Sequence, residues 1–195
     1  YYEYTSNPGN NSDKDHYGLP TNANGTDLPT GANDSAKISS LLQSFGALTL
    51  SNNMGGNDNS PNGWGFKEIN AGGKTYSGIA VGGGIDGGET DTDGNSQGPV
   101  AESITIKFPQ DVDGAMITVG ALFNGVLHDN GNAEALKWEA WDGNTKIGEG
   151  VVYGGYDGLV SFFINTGHDF DKVTLTPLDN GAGHNGNNTD FLLVG

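Results

Sequence analysis

Short runs of alternating apolar and polar residues are the feature that most constrains this chain. In residues 102–108 (ESITIKF), Ile104, Ile106 and Phe108 recur with a period of two, which is typical of a strand that buries one face. Roughly ten short runs with strand character follow one another along the sequence, separated by turn-forming residues. This succession predicts an all-β fold, and specifically a β-sandwich with jelly-roll-like character.

The predicted strands cover 47–50, 64–69, 78–81, 102–108, 115–123, 136–141, 146–153, 159–164, 172–177 and 191–194. Helical spacing occurs in one place, residues 35–46, where the apolar side chains are Ile38, Leu41, Leu42 and Phe45. We therefore expect one short helix that ends at Gly46.

The composition fits strands joined by long loops. The chain has 34 Gly and, by count, 22 Asn, whereas only 34% of its residues are hydrophobic. Gly and Asn tolerate the positive φ angles of turns, and Gly costs about 1 kcal/mol relative to Ala inside a helix. The sequence is interpreted as a single domain over 1–195, with an irregular N-terminal region at 1–36 packed on it.

The charge excludes several classes of partner. There are 24 acidic residues against eight basic ones, all of them Lys, for a net charge of −16. Nucleic acid and anionic membrane surfaces require basic contacts, so neither is expected as a partner. No apolar run is long enough to insert into a membrane. Such an acidic chain repels itself unless cations neutralise it, and Asp beside Gly and Asn predicts Ca²⁺ ions as the stabilising cofactor.

The strongest candidate calcium loop is GGGIDGGETDTDGN, residues 82–95. Glu89, Asp91 and Asp93 alternate before a glycine, as ligands do at the start of an EF-hand loop. Val100 stands where such a loop would have its bidentate Glu, so an irregular calcium loop is the better interpretation. The alternative is a flexible acidic loop. The metal ligands that this spacing predicts are Glu89, Asp91, Asp93 and, at the start of the next strand, Glu102.

Two further loops supply oxygen ligands. Asp129 and Asn130 lie in a segment that also contains Asn132 and Glu134, although a plain polar hairpin loop is an equal alternative there. Residues 179–190 (DNGAGHNGNNTD) form a long Gly/Asn loop of the kind in which recognition residues occur, and Asp179 and Asp190 are its predicted metal ligands. The predicted ligand-binding residues are Gly83, Gly84, Tyr153, Tyr156, His184, Asn185 and Asn188.

The sequence lacks the common catalytic motifs. The sequence has no Cys and no G-x-S-x-G, and its four His lack zinc spacing. We therefore expect a binding protein that is not an enzyme.

Trp138 shares a strand face with apolar neighbours and is predicted to lie in the core, whereas Trp141 has the opposite parity and is predicted to be exposed. Core or turn packing is the ordinary role of any single aromatic, Tyr153 and Tyr156 included.

The order of segments carries a family resemblance. It runs GIAVGGG, an acidic Gly loop, AESITIKFPQDV, MITVGALFNG, ALKWEAWDGNTKIGEG, a Gly-rich turn, FDKVTLTPLDN and NTDFLLVG. Over residues 78–195 it resembles the calcium-dependent peptide-binding domains of bacterial RTX adhesins, which are exported by type I secretion and support biofilm formation.

The resemblance implies an extracellular module at the bacterial cell surface, excised from a larger adhesin and monomeric in isolation. It would grip short, C-terminal peptide segments of surface proteins on other cells, with a bound Ca²⁺ taking part. The metal ligands that the resemblance implies are Asp86, Glu89, Asp91, Asp93, Glu102 and Asp190. A calcium-dependent carbohydrate-binding module is the alternative, and a calcium-stiffened spacer is a third.

Overall fold

A computed structural model describes residues 35–53, 63–71, 73–81, 102–124, 133–178 and 191–195. Within them lie one helix and ten strands. The elements are α1 (Ser35–Ser44), β1 (Thr49–Asn52), β2 (Trp64–Ala71), β3 (Lys74–Val81), β4 (Ile104–Val112), β5 (Ala115–Gly120), β6 (Ala135–Asp142), β7 (Thr145–Tyr153), β8 (Val160–Ile164), β9 (Phe170–Leu178) and β10 (Leu192–Leu193).

The strands form two five-stranded sheets. The front sheet has the order β1-β4-β9-β6-β7, and the back sheet has the order β2-β3-β10-β5-β8. Every strand pairing in both sheets is antiparallel. The predicted all-β sandwich with one short helix is therefore confirmed.

The larger of two apolar clusters among the described residues forms the core between the sheets. Alternate residues of each strand enter it, such as Ile104 and Ile106 from the front sheet and Ile117 and Val119 from the back sheet. Each large aliphatic side chain buried in this way contributes about 1.5–3 kcal/mol. The alternation read from β4 thus sets which face of the front sheet is dry and which face meets solvent.

The helix closes part of this core. Ile38 and Leu42, one turn apart, are buried in the same cluster as the sheet residues, and α1 packs against β2 and β3. Within the described part of the chain, no helix has the length and apolar character needed to cross a bilayer.

The strand boundaries differ from the predicted ones in instructive ways. The polar residues 74–77 belong to β3 because they pair with β2 through the backbone, so that β2 and β3 form a long hairpin. Strand β5 ends at Gly120 and not at Phe123, because Ala121 has a φ of 59° and turns the chain. Strand β4 continues beyond Phe108 to Val112, with its register to β9 shifted between Lys107 and Val112.

Candidate functional site

The front sheet brings four strand ends together. Ala135, the first residue of β6, pairs with Tyr153 at the end of β7 and with Leu178 at the end of β9. On the other side of β9, Ile104 at the start of β4 pairs with Leu175. The starts of β4 and β6 therefore lie beside the ends of β7 and β9.

The back sheet has a corresponding edge. Leu193 of β10 pairs with Ile79 of β3 and with Val119 of β5, which sets the start of β10 beside the ends of both neighbours. The start of β8 lies there too, since Val160 also pairs with Val119.

Backbone hydrogen bonds join the two edges into one end of the sandwich. Just after β5, the carbonyl of Phe123 accepts a bond from the Glu134 amide, which precedes β6, at 2.9 Å. Gly154, just after β7, donates to the Glu134 carbonyl at 2.8 Å, and Gly155 donates to Leu122 at 2.9 Å. We call this the loop end; it is defined by Val81, Glu102, Asn124, Ala133, Leu178 and Phe191.

The loop end flanks all three of the acidic segments singled out in the sequence. Residues 82–101 run between Val81 and Glu102, residues 125–132 between Asn124 and Ala133, and residues 179–190 between Leu178 and Phe191. These three segments contain seven of the acidic residues and no Lys. Strand order therefore brings the described flanks of three separate acidic stretches of sequence to one end of the sandwich.

Most of the predicted site residues fall in these segments and lie outside the described residues. They are the metal candidates Asp86, Glu89, Asp91, Asp93, Asp129, Asn130, Asp179 and Asp190, and the ligand-binding candidates Gly83, Gly84, His184, Asn185 and Asn188. Among the described residues, no three His, Asp or Glu side chains form a group that could hold a metal ion. Glu102, Tyr153 and Tyr156 are the predicted site residues whose positions the structure gives.

Two carboxylates are buried at the loop end. Glu102, two residues before β4, is 0% exposed, and Glu134, next to β6, is 3% exposed. Burying a carboxylate is costly unless it is hydrogen-bonded or paired. Glu134 meets this requirement in part by accepting a hydrogen bond from the Phe123 amide through Oε2.

Two tyrosines at the loop end are strongly exposed. Tyr153 ends β7 with 63% of its surface exposed, and Tyr156, in the following turn, is 48% exposed. Both side chains therefore leave a large part of their surface accessible to solvent. Together they present two aromatic faces beside the flanks of the acidic segments, suited to stacking on a sugar ring or a peptide side chain.

The turn that carries these tyrosines is tightly constrained. A Cβ at Gly154 would lie 1.9 Å from the Phe123 carbonyl oxygen, and one at Gly158 would lie 2.5 Å from the Phe123 ring. Phe123 and Gly155 also form a parallel bridge. Sequence reasoning missed this role of Phe123, and the only available signal was the unusual glycine density of YGGYDG.

The two tryptophans of β6 lie on opposite faces of the strand, as their positions in the sequence predict. Trp138 is half-buried, packs against the core, and covers Gly148 and Gly150 of the neighbouring edge strand. Trp141 lies on the outer face, where the Lys172 ammonium sits 5.0 Å from its ring centroid. This is the face that its parity predicts, but Trp141 is half-buried there, and its buried indole nitrogen has no acceptor among the described residues.

Comparison with known proteins yields no matching family model and no matching curated protein.

Proposed function

We propose that this chain is a Ca²⁺-dependent peptide-binding module of an extracellular, cell-surface adhesin, and that it binds without catalysis. The observation that supports the proposal is that the described flanks of three acidic, Lys-free stretches of sequence meet at one end of the sandwich. Ca²⁺ takes six to eight oxygen ligands, and such stretches supply them from several directions.

The same convergence favours a ligand that carries a carboxylate. A protein with a net charge of −16 repels anions overall. A loop-bound cation with an open coordination position reverses that preference locally, because the ion is the largest charge in its site. The C-terminal carboxylate of a peptide on another cell's surface protein is a ligand of this kind.

In this proposal the ion ligands are drawn from Asp86, Glu89, Asp91, Asp93, Glu102, Asp129, Asn130, Asp179 and Asp190. The peptide contacts are drawn from Gly83, Gly84, Tyr153, Tyr156, His184, Asn185 and Asn188. Exposed Tyr153 and Tyr156 support the assignment, since rigid aromatic side chains provide contact area at low entropic cost.

A carbohydrate ligand is the second candidate, and one observation favours it. Two exposed tyrosines on a constrained turn form a surface on which a sugar ring can stack, while Ca²⁺ binds its vicinal hydroxyls. This candidate uses the same end of the molecule and the same ions.

Binding arrays measured with and without calcium distinguish the peptide candidate from the carbohydrate candidate. Peptides with a free C-terminal carboxylate, the same peptides with a C-terminal amide, and a panel of glycans are offered in millimolar calcium and again in EDTA. The proposal expects calcium-dependent binding of the free-carboxylate peptides alone. Equal binding of the amides contradicts carboxylate recognition, and hits confined to glycans replace the first candidate with the second.

A further inference from the structure

The outer face of the front sheet concentrates the basic residues of an acidic protein. Four of the eight lysines, Lys107, Lys137, Lys146 and Lys172, project from it, because the alternate residues of each strand enter the core. The strand pairing aligns them in cross-strand rows. One row reads Lys107–Lys172–Trp141–Lys146 across β4, β9, β6 and β7.

Two of these lysines are neutralised by neighbouring acids. Lys137 contacts Glu139 at 3.0 Å and Glu149 at 2.9 Å, and Lys146 contacts the same two residues at 3.1 and 2.8 Å. The four side chains form a closed square of alternating charge on β6 and β7, so this part of the face has little net charge.

The other two lysines form a different arrangement. Lys107 and Lys172 are direct cross-strand partners, and neither makes an ion pair with any residue that the structure describes. Like charges directly opposite one another in a sheet repel each other. Because both side chains are cations, the pair also contributes a positive potential at this part of the face. The Lys172 ammonium donates to the Gly143 carbonyl at 3.1 Å, while the Asp171 carboxylate beside it accepts the Gly143 amide at 2.9 Å.

Hydroxyl groups and an aromatic ring border this lysine pair. The hydroxyls of Thr105 and Thr174, the next pair along β4 and β9, lie 3.3 Å apart, and Thr49 of β1 pairs with Lys107. Trp141 lies on the other side, beneath Lys172. The face therefore offers two cations, three hydroxyls and one aromatic ring.

The described flanks of the acidic segments lie away from this lysine pair. Lys172 and Leu178, at the loop end, are six positions apart in β9, which corresponds to about 20 Å at the rise of a strand. The Debye length is about 8 Å at physiological ionic strength. Charge at those flanks is thus largely screened at the lysine pair, whereas the Asp171 carboxylate, which bonds to Gly143 as Lys172 does, is part of the local charge.

We infer that Lys107 and Lys172, with the Thr105–Thr174 pair and Trp141, form a binding surface for an acidic polysaccharide. The lysines bind a carboxylate or sulfate group, and the threonine hydroxyls bond to the sugar hydroxyls. A protein partner fits less well, because protein interfaces depend on a few large aromatic or Arg side chains, and among the residues of this surface only Trp141 is of that kind. The surface is distinct from the loop end and does not depend on the function proposed there.

The test compares two oligosaccharides of equal length in calcium-containing buffer. One is a hexasaccharide of alternating glucuronate and N-acetylglucosamine; the other is neutral chitohexaose. We expect the acidic hexasaccharide to bind at least about tenfold more tightly, which corresponds to one charge-assisted hydrogen bond. Lys107→Gln/Lys172→Gln removes that preference, whereas Lys74→Gln, an exposed lysine on the back sheet, retains it.

Each other outcome overturns the inference. Absence of acidic-hexasaccharide binding, equal binding of chitohexaose, or wild-type binding by the double variant contradicts the surface. Binding of hexaglutamate as tight as that of the hexasaccharide contradicts the sugar assignment. The single variant Lys107→Gln guards against misfolding, because the Lys107 side chain makes no hydrogen bond or ion pair with a described residue; this variant is expected to retain the wild-type urea midpoint.

Discussion

Glu134 and Phe123 bind each other through both backbone and side chain. The Glu134 amide donates to the Phe123 carbonyl at 2.9 Å, and the Glu134 carboxylate accepts the Phe123 amide. One residue leaves β5 and the other enters β6, so this pair ties the back sheet to the front sheet at the loop end.

Glu134→Ala is expected to lower the free energy of unfolding by about 2 kcal/mol, because it leaves the Phe123 amide buried without its acceptor. Glu134→Gln retains an acceptor oxygen and is expected to lose less. Urea unfolding measures both changes. Asp111→Ala, at an exposed position in β4, is the control, and a Glu134→Ala midpoint equal to that of the control contradicts this role.

The ion-pair square on β6 and β7 predicts an unusual titration. Hydrogen bonds from Lys146 and Lys137 lower the pKa of Glu149 from 4.5 to about 2. Since the folded-state pKa is depressed, the stabilisation is complete above about pH 4.5 and is lost as the pH falls towards about 2. Burial alone would raise the pKa of Glu139, but hydrogen bonds from the same lysines outweigh it and lower the pKa.

Carbon-detected NMR of the Glu149 carboxyl group tests this directly. The expected titration midpoint is about 2 in the wild-type protein. In Lys137→Met/Lys146→Met it returns towards its ordinary value, because both hydrogen-bond donors are gone. A wild-type midpoint near 4.5 would show that the square does not persist in solution.

Substitution of Gly154 tests its close approach to the Phe123 backbone in the turn after β7. Gly154→Ala places a Cβ against the Phe123 backbone, which cannot move aside like a flexible side chain, and is expected to cost about 3 kcal/mol in unfolding free energy. Gly73→Ala is the matched control, since Gly73 has a φ of 76° but open space around it. It should cost only about 1 kcal/mol, and equal losses for the two variants contradict the close approach.

Gly150 and Trp138 are expected to be energetically coupled. A Cβ at Gly150 would lie 2.7 Å from the Trp138 indole. Gly150→Ala should therefore cost about 1–3 kcal/mol in the wild-type background and much less in Trp138→Leu. Thermal unfolding of the four proteins of this double-mutant cycle gives the coupling, and additive losses would argue against the contact.

The fold was largely predictable because its signal is local. Ile104 and Ile106 are separated by one polar residue in the same strand, and both are buried in the core. The alternation in the sequence therefore reports directly which strand face is buried. Residues 74–77 escaped prediction since their pairing is made through the backbone and leaves no apolar period. The end of β5 escaped prediction because nothing in the sequence announces a positive φ at Ala121.

The candidate site was predictable only in pieces. Each acidic segment can be recognised in the sequence. Whether the residues that flank these segments meet depends on the strand order, in which β9 lies between β4 and β6. That order is set by contacts between residues far apart in sequence, such as Thr105 with Thr174. The lysine pair on the outer face was hidden for the same reason, because Lys107 and Lys172 become neighbours only when β4 meets β9.

The most direct test of the calcium-dependent loop end is the shift in melting temperature between EDTA and calcium. It is measured for the wild-type protein and for a variant in which Asp86, Glu89, Asp91, Asp93, Asp129, Asp179 and Asp190 are changed to their amides. The wild-type protein should gain stability in calcium, by about 2.7 kcal/mol when the ion is at a hundredfold excess over its dissociation constant, and the variant should gain none. A wild-type melting temperature that is the same in EDTA and in calcium would contradict the proposal.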